Sequence, residues 1–188
     1  MNFTQKSHEE VRRLLGSANV VVDATVGAGF DALFACSILT DGGKVFCFDV
    51  QSDAIERSKL LLRENSCLHK ACFFETGHEN MESVLPKEIL GKVDCFFFNL
   101  GWLPRSDKKV ATRPETTVKA LESAFRIANK SKSIVSVLCY KGHTGAMEEF
   151  YAVEKFLLES EFTLERFTDA SNKVSPELFV VKIGDVKK

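Results

Sequence analysis

Short, nearly unbroken apolar runs alternate along this chain with stretches in which apolar residues return every three or four positions. The first pattern suits strands buried on both faces, and the second suits helices laying one apolar stripe against them. Strands are predicted at Val20 to Asp23, Lys44 to Asp49, Ala71 to Glu75, Val93 to Asn99, Ser133 to Cys139, Thr163 to Thr168 and Leu178 to Ile183. Helices are predicted at His8 to Leu15, Asp31 to Leu39, Asp53 to Asn65, Glu79 to Leu85, Glu115 to Asn129 and Ala146 to Glu159. Strands that alternate with helices imply an α/β fold, a doubly wound, mostly parallel, Rossmann-like sheet of seven strands. The last two strands are separated only by the polar turn around Asp169 to Lys173, too short for a crossover helix, so they form an antiparallel hairpin.

The segment Asn19-Val-Val-Val-Asp23-Ala-Thr25-Val-Gly27-Ala-Gly29-Phe-Asp31 carries most of the chemistry. A strand ends in an acidic residue, breaks into a two-glycine turn and opens a helix. The next strand ends in Asp49, followed by Gln51. This is the layout of a nucleotide-type cofactor site at the carboxyl edge of a parallel sheet, with Asp49 placed to accept hydrogen bonds from ribose hydroxyls. Glycines allow the turn and let backbone approach a ligand. Gly27-x-Gly29-x-x-Ala32 also satisfies the dinucleotide fingerprint, so NAD is the alternative. Asp23 and Asp31 argue against NAD, because they would repel a pyrophosphate from the helix N-terminus and would welcome a cation. S-adenosylmethionine brings a sulfonium and an α-ammonium and is the favoured cofactor. A sheet ending in an antiparallel pair is also the class I methyltransferase architecture, whereas a dinucleotide domain would end on a parallel strand.

A second apolar strand ends in Asn99-Leu-Gly101-Trp102-Leu-Pro104, which resembles the (Asp/Asn)-Pro-Pro-(Tyr/Phe) motif of methyltransferases acting on amino nitrogens. The Asn99 oxygen can accept from an NH2 group and aim its lone pair, and Trp102 can stack on the ring that carries it. Tyr140 and His143, delivered to the same edge by the strand ending at Cys139, are candidates to orient the substrate or take up a proton. His78 lies where class I enzymes often contact the adenine. His8 and His69 look like surface residues. The basic loop around Lys108, Lys109 and Arg113 is a candidate lid or RNA contact.

The chain has 188 residues, 45% of them apolar, which fits a single domain over 1–188. Its formal net charge of -1 provides no overall field for nucleic acid, so any RNA contact rests on a local patch. Six cysteines lie mostly inside apolar runs without a C-x-x-C pair, and Cys67, His69 and Cys72 match no standard zinc spacing. Reduced, buried thiols and no metal are expected. Without an apolar signal core or a span of membrane length, a cytoplasmic protein with no membrane contact is expected. The oligomeric state is left open, a homodimer included.

Taken together, Asp23-Ala-Thr-x-Gly27-x-Gly29-x-Asp31, Phe48-Asp49-x-Gln51, Gly77-His78, Asn99-Leu-Gly-Trp102-Leu-Pro, Asp107-Lys108, Thr116-Thr117 and Tyr140-x-Gly142-His143-x-Gly145-x-x-Glu148-Glu149 resemble the YtqB/MnmM-like rRNA-methylase family of class I methyltransferases. The matches run in order over nearly the whole chain. The family pattern usually has Asn at the position of Ala28 and Tyr at that of Trp102. The resemblance implies an S-adenosylmethionine-dependent N-methyltransferase that converts 5-aminomethyl-2-thiouridine at the tRNA wobble position to its methylaminomethyl form, with the anticodon region as partner. An rRNA or small-amine N-methyltransferase is the alternative within enzymes, and an NAD-dependent oxidoreductase the alternative outside this class.

Overall fold

The computed structural model describes residues 2–101, 111–142, 144–172 and 174–186. Seven strands, β1 (Ala18–Asp23), β2 (Leu39–Asp49), β3 (Ala71–Glu75), β4 (Cys95–Leu100), β5 (Ser133–Cys139), β6 (Phe162–Phe167) and β7 (Glu177–Val186), form one sheet in the order β3-β2-β1-β4-β5-β7-β6. The first five pair in parallel, and β7 runs antiparallel to both β5 and β6. This is the expected class I methyltransferase architecture, with the C-terminal hairpin folded so that its second strand inserts beside β5.

Alternate side chains of each strand feed opposite faces. Phe96 and Phe98 of β4 join a core with Phe46, Phe48 and the helices α4 (Met81–Val84), α5 (Pro114–Ile127) and α6 (Ala146–Glu159). Cys95 and Phe97 join Val21, Val45 and Cys47 beneath α1 (Phe3–Leu15), α2 (Phe30–Ile38) and α3 (Ser52–Glu64). Burial on both faces is why β4 and β5 read as continuous apolar runs. All six cysteines are free, five of them buried, and burial pushes the Cys36 thiol up to about 12, out of the reactive range.

Element boundaries moved where local polar bonds overrode the pattern. Helix α1 begins at Phe3, five residues before the predicted start, because Asn2 caps it by accepting the Gln5 N–H at 3.2 Å. Its buried stripe of Phe3, Ser7, Glu10 and Val11 includes two polar residues, which hid it from a hydrophobic count. Helix α4 is a single turn after a 3-10 turn at His78–Asn80, stopped where Leu85 becomes extended before Pro86. Helix α5 ends at Ile127 because Ala128 is already extended and bridges to Val93. Strand β2 starts earlier than predicted, at Leu39, through a polar stretch paired to β1 across a register irregularity.

The strand order reverses between β1 and β4, so their outgoing loops diverge and leave a crevice at the carboxyl edge. The turn after β1 lies across this crevice: the Ala24 N–H donates to the Phe97 carbonyl and the Val26 N–H to the Phe48 carbonyl, both at 2.8 Å. No helix of the described residues is long and apolar enough to cross a membrane.

Candidate active site

Gly27 (φ +51°) and Gly29 (φ +86°) make the turn in the left-handed region. For Gly29 the steric reason differs from the expected close approach to a ligand: an added Cβ would stand 3.0 Å from the Cα and Cβ of Ser58 on α3. The Ser58 hydroxyl, fully buried, donates to the Gly27 carbonyl at 3.0 Å. Helix α3 therefore buttresses the turn, a role no motif pointed to.

Three carboxylates surround this turn. Asp49 accepts the backbone N–H of Gly27 and of Gln51, each at 3.0 Å, and burial raises its pKa against the pull of those bonds. The Gln51 residue precedes α3 as its N-cap. Asp23 is fully buried; Oδ1 accepts the Thr25 N–H at 3.2 Å, while Oδ2 has no partner among the described residues. Burial, then the charges of Asp31 and Asp49, push Asp23 well above the carboxylate range. The Thr25 hydroxyl accepts the Asn99 N–H at 2.7 Å, tying the turn after β1 to the end of β4.

Asp31, in the first turn of α2 and 4% exposed, divides its oxygens between two side chains. Oδ1 takes the His8 Nε2 at 2.5 Å, and Oδ2 takes the Asn99 Nδ2. His8 is thus not a free surface residue, as the sequence suggested. Its ring stacks on Phe34 with centroids 4.0 Å apart and meets Phe97 edge-on. One residue on each of α1, α2 and β4 converges in this chain of contacts. Helical spacing would have placed His8 and Ser7 on α1, but nothing local in the sequence links α1 to Asp31.

Beyond Asn99 the chain passes through Gly101, whose N–H donates to the Thr112 hydroxyl at 2.9 Å and whose carbonyl accepts the Thr112 N–H at 3.1 Å. The Thr112 hydroxyl in turn donates to Glu149 at 2.7 Å, and the Thr117 hydroxyl donates to the other Glu149 oxygen at 2.6 Å. Glu149 is 2% exposed in the first turn of α6. This clamp closes the base of the loop that follows Asn99. Trp102, Lys108, Lys109 and His143 lie outside the described residues. Arg113 is exposed at the start of α5.

Tyr140 is 43% exposed at the end of β5, with its N–H on the Leu100 carbonyl. It stands on the same carboxyl edge as Asn99. His78 differs from the expected open contact: it is 6% exposed, its Nδ1 lies 3.2 Å from the Ala24 carbonyl, and burial lowers its pKa. Its ring supports the turn from below. His69 carries a half of the expected picture, its carbonyl holding the Lys44 ammonium at 2.8 Å.

A glycine turn ringed by Asp23, Asp31 and Asp49 is negative where a dinucleotide would lay its pyrophosphate. It fits a ligand that carries positive charge and ribose hydroxyls.

Comparison with known proteins agrees with this geometry. The family described as "Putative rRNA methylase" matches residues 45–181. A curated Arabidopsis thaliana protein, tRNA (mnm(5)s(2)U34)-methyltransferase, chloroplastic, is 33% identical over 164 residues, which are 81% of this chain and 58% of that protein. The chain thus spans a little over half of that relative's length. Among solved structures, a protein described as a putative rRNA-methylase from Clostridium thermocellum is 30% identical, covers 97% of both chains and has a TM-score of 0.88. A protein from Streptococcus mutans described as a putative methyltransferase, in complex with SAH, is 23% identical, covers 95% of this chain and 96% of its own, and has a TM-score of 0.82, a likeness of fold. By the family match and the extent of these similarities, this chain belongs to the rRNA methylase family and has the fold of the class I methyltransferases.

Proposed function

We propose that this protein is an S-adenosylmethionine-dependent RNA N-methyltransferase, and that its acceptor is the aminomethyl group of 5-aminomethyl-2-thiouridine at the tRNA wobble position. The observation that carries the reading is the Asn99 to Asp31 bond. A carboxylate only accepts, so the Asn99 amide turns its Nδ2 toward Asp31 and its Oδ1 the other way. An amide oxygen so turned accepts an N–H from an incoming amine and leaves the amine lone pair to point at the methyl.

The residues present fit the cofactor. Asp49 keeps lone pairs for ribose hydroxyls beyond its two backbone bonds, and the unpartnered Asp23 oxygen adds negative charge beneath the turn. When bound, S-adenosylmethionine supplies an electrophilic methyl on a sulfonium. The chain's part is to bind, align and exclude water, and alignment of nucleophile with methyl accounts for most of the rate. Asn99 holds the neutral amine, Trp102 stacks on the ring, and Tyr140 or His143 takes the proton once the new N–C bond has formed. Gly27, Gly29, Thr25 and Gln51 shape the cofactor side through the backbone bonds described, and His78 acts there from beneath the turn. The tRNA substrate is supported by the Arabidopsis thaliana relative, named for mnm5s2U34.

Purified protein with labelled S-adenosylmethionine tests the reading. Transfer to tRNA carrying the aminomethyl group, and none to the same tRNA with unmodified uridine, is expected. Equal transfer to both would reduce the reading to a generic RNA methyltransferase, and transfer to rRNA alone would replace the substrate.

A further inference from the structure

The α1 helix has no part in the cofactor turn or the motif strands, yet it delivers one polar group into the site. Its rotation about its axis is fixed on the sheet by the bond between the Ser7 and Ser136 hydroxyls, 2.7 Å, with both residues almost fully buried. The next residue, His8, lies flat on Phe34 with an interplanar angle of 4°, so the ring plane is set as well. Phenylalanine would satisfy that stack. What only a polar ring supplies is the Nε2 contact to Asp31 Oδ1 at 2.5 Å.

Since the carboxylate accepts from both sides, His8 donates from Nε2, and Asn99 donates from Nδ2 to the other oxygen. With Oδ1 held, the carboxylate plane cannot turn, and Oδ2 stays on the amide. With Oδ1 released, the carboxylate rotates, and the amide loses the contact that decides which of its ends faces the substrate. We propose that His8 is a positioning residue for methyl transfer, acting through Asp31 to fix the orientation of the Asn99 amide. This rests on the reading of Asn99 as the group that holds the acceptor amine.

Two variants separate packing from positioning: His8→Phe keeps a flat ring on Phe34 without the donor, and His8→Gln keeps an amide donor at similar reach without the ring. Each is compared with wild type for S-adenosylmethionine affinity by calorimetry and for kcat with aminomethyl-bearing tRNA. The side-chain amide of Asn99 is followed in 1H–15N spectra, assigned by its loss in Asn99→Asp. His8→Phe is expected to bind cofactor within about threefold of wild type, to lose roughly tenfold to a hundredfold in kcat, and to shift the Asn99 amide signals. His8→Gln is expected to recover most of the kcat and the signal positions. Wild-type kcat with unmoved amide signals in His8→Phe would overturn the proposal, as would parallel loss of affinity and kcat in both variants. If wild-type protein methylates no RNA, the functional reading fails, while the amide spectra still decide whether His8 orients Asn99.

Discussion

Asp49 at the end of β2 accepts the backbone N–H of Gly27 in the turn after β1, at 3.0 Å, so the ribose carboxylate and the glycine turn are one mechanical unit. Its second oxygen holds the Gln51 N–H at the start of α3. Asp49→Ala removes a charge-assisted acceptor for the ribose and frees the turn together. Cofactor affinity is expected to fall by roughly 1.5–3 kcal/mol, about tenfold to a hundredfold in Kd. Calorimetric titration of the folded variant checks this, and an unchanged Kd would remove Asp49 from the cofactor site.

Gly29→Ala is expected to destabilise the fold by roughly 1–3 kcal/mol, because a side chain at φ +86° is strained and its Cβ meets Ser58 at 3.0 Å. Urea unfolding measures the loss. Adding Ser58→Gly relieves only the collision, so a partial recovery is expected, and full recovery would mean that the backbone conformation costs nothing.

Asp23 gives a pH dependence whose sign follows from its raised pKa. The folded state holds its proton to higher pH than the unfolded state, so between the ordinary carboxylate pKa and the raised one the folded state binds more protons. This group's contribution to stability is therefore full below the unfolded value and is lost as pH rises through the folded value. Asp23→Asn cannot ionise and escapes that loss. The difference in Tm, variant minus wild type, is expected to grow as pH rises from below 4 upward, and a difference that shrinks with pH would contradict the assignment.

The sheet and its switch point were legible because strands buried on both faces leave continuous apolar runs and because turns after such strands are punctuated by Asp and Gly. The glycine turn, Asp49 and Asn99 fall at strand ends, where local pattern and site coincide. His8 was missed for a physical reason: its partner Asp31 is 23 residues away, and only the packing of α1 over β5 brings the two together. Ser58 and the Glu149 clamp were invisible for the same reason, since a buried hydroxyl or carboxylate looks like a solvated helix residue until its tertiary donors and acceptors are known. His78 carried the reverse error. A polar residue after a strand reads as a ligand contact, yet its nitrogen serves the Ala24 carbonyl.

Asn99→Ala is expected to leave S-adenosylmethionine affinity within about threefold while lowering kcat by roughly a hundredfold, since the amide aligns the amine and its side chain faces Asp31 rather than the glycine turn. Separate determination of Kd and single-turnover rate checks the split. Equal losses in both would move Asn99 to the cofactor side.

The RNA partner imposes the last test. A chain with a formal net charge of -1 has no global attraction for tRNA, so binding depends on local cations, and Arg113 stands exposed where α5 begins, next to the clamp that closes the loop after Asn99. Lys108 and Lys109 precede it in sequence. Replacing all three by Ala is expected to weaken tRNA binding across tRNA sequences and to reduce the slope of log K against log salt by up to about three phosphate contacts. Cofactor affinity should stay within about twofold, because none of these residues belongs to the carboxylate ring of Asp23, Asp31 and Asp49. Filter binding at several salt concentrations measures the slope. An unaltered slope with normal binding would place the tRNA on another face, whereas a loss confined to one tRNA would mean that these residues contact bases rather than phosphates.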